Sequence, residues 1–210
     1  MVDRTFERLT SGRLVLRRFR SADIEAFVRY RADPAIARFQ SWENFTPEDG
    51  GAFFDWVSGQ HPDTPGEWFQ FAIELAGTGA MIGDCAMHSR ADSRTEIEIG
   101  FTLAPAHHGR GYATEAVGCL LDYAFGRLAK ERATAVTDVR NTASVAVLKR
   151  LGFVRDPTPR APVPFKGEMC HEHLYDLSRG EFLIVPLDKK FFARGDAEDA
   201  EGTEFPGCGL

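Results

Sequence analysis

Residues 105–116, PAHHGRGYATEA, set a glycine turn, Gly109-Arg110-Gly111, directly ahead of a helical pattern. After the turn, Ala113, Ala116, Val117, Leu120, Leu121, Ala124, Phe125 and Leu128 fall at i, i+3, i+4, i+7 spacing, the strongest helical signal in the chain. Glycines let a backbone bend so that several N–H groups point one way, here at the positive end of a helix dipole. Such a turn can cradle a phosphate, or it can simply join a strand to a helix. A P-loop would need a lysine that is absent, and a G-x-G-x-x-G dinucleotide fingerprint would need glycine where Thr114 stands.

Upstream, residues 67–75, 81–88 and 95–103 read as three strands. In the first, Phe69, Phe71, Ile73 and Leu75 alternate with Trp68, Gln70, Ala72 and Glu74; in the third, Ile97, Ile99, Phe101 and Leu103 oppose Glu96, Glu98, Gly100 and Thr102. The turns AGTGA and SRADSR between them predict an antiparallel meander. Before it, residues 12–20 read as a strand, Ser21 as the cap of a helix carrying Ile24, Phe27 and Val28, and Pro34 and Pro47 as breaks between short helices, the last ending near Gly59. Residues 61–67 are loop by composition. Downstream, residues 132–139 predict a strand, 142–152 a helix closed by Gly152, and 170–178 a last strand. The strand–helix–strand unit over 95–139 should be parallel, so the expected fold is α/β (α+β): a mixed, mostly antiparallel sheet of about six to seven strands flanked by helices.

The loop HGRGYATEA after EIGFTLAP resembles the acetyl-CoA loop of the GNAT superfamily, Gln/Arg-x-x-Gly-x-Gly/Ala, with His108, Gly111 and Ala113 at the signature positions. NTASVAVLKRLGF (141–153) resembles that superfamily's Asn-x-x-Ser helix and Leu-Gly-Phe, most closely in the Rim-type (RimJ/RimL-like) ribosomal-protein N-terminal acetyltransferases. GRLVLRRFRSADIEAF and GEMCHEHLYDLSRGEF are similar to the Rim-type opening and closing segments, so the resemblance covers about residues 10–182 in order. It implies the GNAT fold, splayed in the middle to hold CoA, and acetyl-CoA as co-substrate, with no metal.

By resemblance, the strand holding Phe101, Thr102 and Leu103 parts from its neighbour, and its freed N–H groups bind acetyl and pantetheine oxygens; such a donor is worth about 3 kcal/mol in a transition state. The resemblance assigns His108, Gly109, Arg110, Gly111, Tyr112, Ala113 and Thr114 to the pyrophosphate, Asn141 to the pantetheine arm or the incoming strand, and Lys149 to the phosphates. Asn141 is equally a good helix N-cap, and Lys149 with Arg150 equally solvated charges. For the general base, Glu98 comes first and Glu96 second, on the polar face of the strand leading to the cofactor; their other reading is exposed strand residues paired with arginines. Where many superfamily members place a tyrosine acid, this chain has Leu148, which leaves Ser144 as donor to the departing thiolate, with Tyr112 and Tyr175 as further candidates. Trp42, Phe45, Phe53 and Phe54 are expected to wall the acceptor pocket. His107 and His108 are adjacent and converge on no third ligand; His171 and His173, with Glu168 or Asp176, read as a polar strand face rather than a metal site.

The expected activity is transfer of acetyl to a primary amine by direct attack in a ternary complex, with a protein or peptide N-terminal α-amine as the favoured acceptor. A small-molecule amine (polyamine, amino sugar or amino-acid-like metabolite) and a non-catalytic acyl-CoA sensor are the alternatives. The net charge of −6 opposes nucleic-acid binding. The four cysteines lack a C-x-x-C pair and read as reduced and structural, and the charged start has no signal-peptide core, so a cytoplasmic protein with no membrane partner is expected, as monomer or homodimer. Residues 1–187 are expected to form the acetyltransferase domain and the acidic residues 188–210 a flexible tail.

Overall fold

The computed structural model describes residues 2–184; the boundary at 187, the acidic tail and Cys208 lie outside the described residues. The chain begins with β1 (Arg8–Thr10) and β2 (Leu14–Arg17), then α1 (Ile24–Arg31), α2 (Pro34–Ala37) and α3 (Pro47–Ser58). The meander follows as β3 (Trp68–Leu75), β4 (Met81–Ser89) and β5 (Glu96–Leu103), then α4 (Tyr112–Asp122), which continues into a π-helical turn over Tyr123–Arg127. Next come β6 (Arg132–Asp138), α5 (Thr142–Arg150), β7 (Val154–Arg155), β8 (Val163–Phe165), β9 (Glu168–Cys170), β10 (Glu172–Ser178) and α6 (Arg179–Ile184).

Eight strands form one sheet in the order β1-β2-β3-β4-β5-β6-β10-β7, and β8 and β9 form a separate hairpin. This exceeds the expected six to seven strands because β1 and β7, at the two edges, have three and two residues, too few to show a period. All pairings are antiparallel except β5 with β6.

One face of the sheet carries the apolar alternation. Phe69, Phe71, Ile73, Ile97, Ile99 and Leu103 join Val117, Leu120 and Leu121 of α4 in one buried cluster. Burying each of these three helix side chains is worth about 1.5–3 kcal/mol, which outweighs the roughly 1 kcal/mol that Gly118 costs a helix interior. On the other face α1 packs on β4, and the contact is polar. Asp84, at 2% exposure, accepts hydrogen bonds from the Tyr30 hydroxyl, from Arg31 Nη2 at 3.1 Å and from Gln70 Nε2 at 3.2 Å.

Local chemistry accounts for most helix ends. Thr46 caps α3 by accepting from the Asp49 N–H, while Asp49 accepts from the Thr46 N–H, a reciprocal box. Ser21 does not act as the expected cap. Asp23 instead accepts from the Arg20 N–H at 2.7 Å and from the Arg17 guanidinium, so a buried ion pair organises that corner. The helix expected to run through Leu128 is α-helical only to Asp122; the π-turn then widens it, and Tyr123, Ala124 and Phe125 stay buried.

Candidate active site

The register of β5 decides which of its backbone groups are free. Arg90 N–H bonds Glu96 O and Ala104 N–H bonds Ile82 O, so the even-numbered residues of β5 exchange hydrogen bonds with β4. The odd-numbered residues turn theirs towards β6. That partner is present only along Glu96–Glu98, paired with Arg132–Thr134, while β5 stays paired with β4 as far as Leu103. The sheet therefore splits after Glu98, and the Ile99 carbonyl and the N–H and C=O groups of Phe101 and Leu103 turn into the gap.

A cavity of about 170 Å3 occupies the split, lined among others by Ile99, Gly100 and Phe101 of β5, by Ala135 and Thr137 of β6, and by Asn141, Ser144 and Leu148 of α5 and its cap. Asn141 caps α5, its side-chain oxygen accepting from the Ser144 N–H at 3.1 Å, which holds both residues at the gap. Phe101, Asn141 and Ser144 are thus brought together. Thr102 differs from expectation: as an even residue it gives its backbone to β4, and its hydroxyl lies 3.4 Å from Gln40 Nε2. Leu103 is only half available, because its carbonyl lies 2.8 Å from His108 Nε2, which must donate to it.

The glycine loop lies beyond the end of β5. Gly109 and Gly111 have φ of 71° and 76°, the left-handed region that favours glycine. Gly111 is the N-cap of α4 and no side chain caps the helix. The first intrahelical bond of the cap is Glu115 N–H to Gly111 O at 3.0 Å, so the N–H groups of Tyr112, Ala113 and Thr114 have no helical acceptor. Two residues absent from the sequence reading hold this loop. Arg13 donates to Arg110 O at 3.0 Å and lies 4.5 Å above the Tyr112 ring, while Glu115, 2% exposed, accepts from Ser11, from the Arg13 N–H and from Arg13 Nε, each at 2.7 Å. The Glu115 position was visible as an acid in the first helical turn; its partner, 102 residues earlier, left no periodic trace.

The uncapped helix start and the unpaired β5 groups fit an extended acyl-CoA, pyrophosphate at the first and amide-bearing arm along the second. Arg110 is exposed within the loop, whereas Lys149, exposed in the last turn of α5, does not line the cavity. Burial, with Arg110 and His108 nearby, holds the His107 imidazole below its ordinary range.

Glu98 is half-buried on the polar face of β5, opposite His88 of β4 and Thr134 of β6, at the point where the strands part; it borders the cavity without lining it. Glu96 lies one step further from the split, with Arg90 at 3.8 Å and Arg132 at 4.0 Å. Tyr175 is 2% exposed within the core, which removes it as a candidate acid, and Tyr112 packs under Arg13. The expected aromatic wall is also displaced. Trp42, Phe45 and Phe53 surround the buried Arg31 guanidinium at 3.9, 5.4 and 5.4 Å, and neither they nor Phe54 line the cavity of the split, which is lined on that side by Phe39, Gln40, Phe165 and Cys170.

The second histidine pair sits among ion pairs: Asp176 takes Arg132, and Glu168 accepts from Arg140 at 3.1 Å. Among the described residues no group of three or more His, Cys, Asp or Glu could hold a metal, and no helix is long and apolar enough to cross a membrane. Arg140 also grips Asp138, holding its carboxyl at about 2, and its Nη2 lies 2.9 Å from the Cys170 sulfur.

Comparison with known proteins agrees with this geometry. The family model described as acetyltransferase (GNAT) domain matches residues 13–154. The uncharacterized N-acetyltransferase p20 of Bacillus licheniformis is 28% identical over 177 residues, covering 84% of this chain and 98% of that protein. The crystal structure of a GNAT-family acetyltransferase from Bacillus anthracis superposes with a TM-score of 0.75 at 26% identity, covering 83% of this chain and 99% of that one. A spermidine N-acetyltransferase from Vibrio cholerae, solved in complex with CoA and spermine, shares the fold at a TM-score of 0.70 and 18% identity, over 82% of this chain and 99% of that one. The glycine loop, the split sheet and these matches agree, and the chain belongs to the GNAT acetyltransferase family.

Proposed function

We propose that the protein is an acetyl-CoA-dependent N-acetyltransferase of the Rim-type branch, acting on the α-amine of a protein or peptide N-terminus. The observation that carries the reading is the split between β5 and β6, with unpaired backbone groups on one side and Ser144 and Asn141 on the other. Bound acetyl-CoA supplies an activated acyl group. The N–H groups of Tyr112, Ala113 and Thr114 bind phosphate oxygens, with Arg110 beside them, and the N–H of Phe101 donates where negative charge develops on the acyl oxygen. The Ser144 hydroxyl donates to the departing sulfur. Glu98, at the vertex of the split, takes the amine's proton through water.

The α-amine assignment rests on the Rim-type motifs and on proton affinity. An α-amine of pKa about 7.7–8.0 is roughly one-tenth neutral at pH 7, whereas a lysine amine of about 10.4 is neutral about once in a few thousand. A base that borders the site without lining it suits the first. The spermidine enzyme at 18% identity shares the fold, and a polyamine is the acceptor to set against this reading.

Calorimetric titration of acetyl-CoA tests the cradle, with binding expected in the micromolar range and lost in Gly111→Glu, which places a carboxylate at the helix start. Turnover is then compared on peptides beginning with Ser or Ala, on spermidine and on an amino sugar. Peptide turnover should fall about 100-fold or more in Glu98→Gln with acetyl-CoA affinity kept, and should also fall in Ser144→Ala. Spermidine turned over in preference to every peptide would refute the α-amine assignment.

A further inference from the structure

We propose that Lys166 is a specificity-determining residue: it clasps the β8–β9 hairpin to residues 37–42 across the acceptor side of the gap, and so restricts the acceptor to a primary amine borne on a small or unbranched group. This rests on the N-acetyltransferase reading above.

The hairpin turns through two residues, Lys166 and Gly167, both with positive φ, 51° and 82°. Turns of this kind favour Asn, Asp or Gly at the first position, so a lysine there is held in a conformation its side chain does not favour. Its ammonium spans to the other side of the site. Nζ donates to the Ala37 carbonyl at 2.7 Å and also to the Trp42 carbonyl. Ala37 closes α2, and these carbonyls belong to chain that no longer continues as helix.

The two clasped segments face the same cavity, Phe165 and Cys170 from the hairpin side, Phe39 and Gln40 from the other. Gln40 in turn reaches the Thr102 hydroxyl on β5 at 3.4 Å. One chain of contacts therefore runs from β5 through residues 37–42 to the hairpin, roofing a space of about 170 Å3 that an acyl arm and an amine must share. A branched or aromatic group beside the amine would need the segments that carry Phe39 and Phe165 to move apart, and Lys166 bonds one of those segments to the other. A purely structural reading makes Lys166 a cation satisfying helix-end carbonyls. That role alters stability and leaves acceptor preference alone.

The test measures kcat/KM for wild type, Lys166→Met and Lys166→Arg on peptides beginning with Gly or Ser and with Leu or Trp. In Lys166→Met the large-to-small ratio should rise about tenfold, with KM for acetyl-CoA within about twofold of wild type, and Lys166→Arg should restore the ratio. A ratio unchanged within about twofold would overturn the proposal. Modification of Cys170 by N-ethylmaleimide, followed by mass spectrometry of its peptide, reads the roof without turnover. Cys170 is 3% exposed, and opening the clasp should speed its modification several-fold. If wild type acetylates no amine, the acceptor reading fails on its own account, and an unchanged Cys170 rate would still overturn the clasp.

Discussion

Replacing Glu115 by glutamine should loosen the glycine loop without touching anything that contacts a ligand. The carboxylate takes two bonds at Oε1, from Ser11 and from the Arg13 N–H, and one at Oε2, from Arg13 Nε. A glutamine can keep its carbonyl oxygen at the first position. Its amide then faces the Arg13 Nε–H, donor against donor, and that bond is lost. A hydrogen bond to a charged group is worth about 1.5–3 kcal/mol. The Arg13 side chain is 45% exposed and regains water, which favours the lower half of that range. The two surviving bonds change from charge-assisted to neutral, adding about 0.5–1 kcal/mol. The expected loss is about 2–3 kcal/mol, read by urea unfolding. Arg13 also holds Arg110 O and the Tyr112 ring, so acetyl-CoA affinity should fall as well, by about tenfold if half of the lost energy reaches the loop. Arg13→Met should reproduce both effects, and the double variant should lose less than the sum. A stability change under about 0.5 kcal/mol, or additivity of the two substitutions, would refute the assignment of the loop's position to this pair.

Two further outcomes follow from buried charge. Asp84→Ala leaves the Arg31 cation and the Tyr30 hydroxyl without their acceptor, and should cost about 3–5 kcal/mol in chemical unfolding; a loss below about 1 kcal/mol would mean that the rings of Phe27, Trp42, Phe45 and Phe53 alone sustain the guanidinium. Asp138 has its carboxyl lowered from 3.8 to about 2, chiefly by the Arg140 hydrogen bond. A depressed carboxyl contributes stability above its unfolded value that disappears as pH falls through the folded one, so its share should fade from about pH 4 down to pH 2. Asp138→Asn should flatten that part of the acid-unfolding profile, and an unchanged profile would count against the pairing.

Elements whose signal is local were legible before any coordinates. The meander showed its two-residue period, α4 its stripe, and α3 its closing glycine; the meander and α3 formed where the pattern placed them, and α4 did so as far as Asp122 before its π-turn. The Gly109–Gly111 loop was equally plain, since positive φ restricts the residue that can stand there. Short edge strands were not, because two or three residues carry no period. Nor was the lining of the gap. Aromatic composition pointed to Trp42, Phe45, Phe53 and Phe54 as an acceptor wall, yet a buried arginine claims the first three. An aromatic face that suits an amine suits a guanidinium as well, and sequence does not say which will be nearer.

The sequence by itself determined where the meander, the longer helices and the glycine turn lie, because dihedral preference and hydrophobic period act over a few residues. Only the tertiary structure decided that β5 leaves β6 after Glu98, so that Phe101 presents its backbone to the gap while Thr102 gives its own to β4. It also decided that Arg13, Glu115, Gln40 and Lys166 support the site. Register and long-range hydrogen bonds join residues up to 129 positions apart, and nothing in a local pattern encodes which carbonyl a distant ammonium will reach.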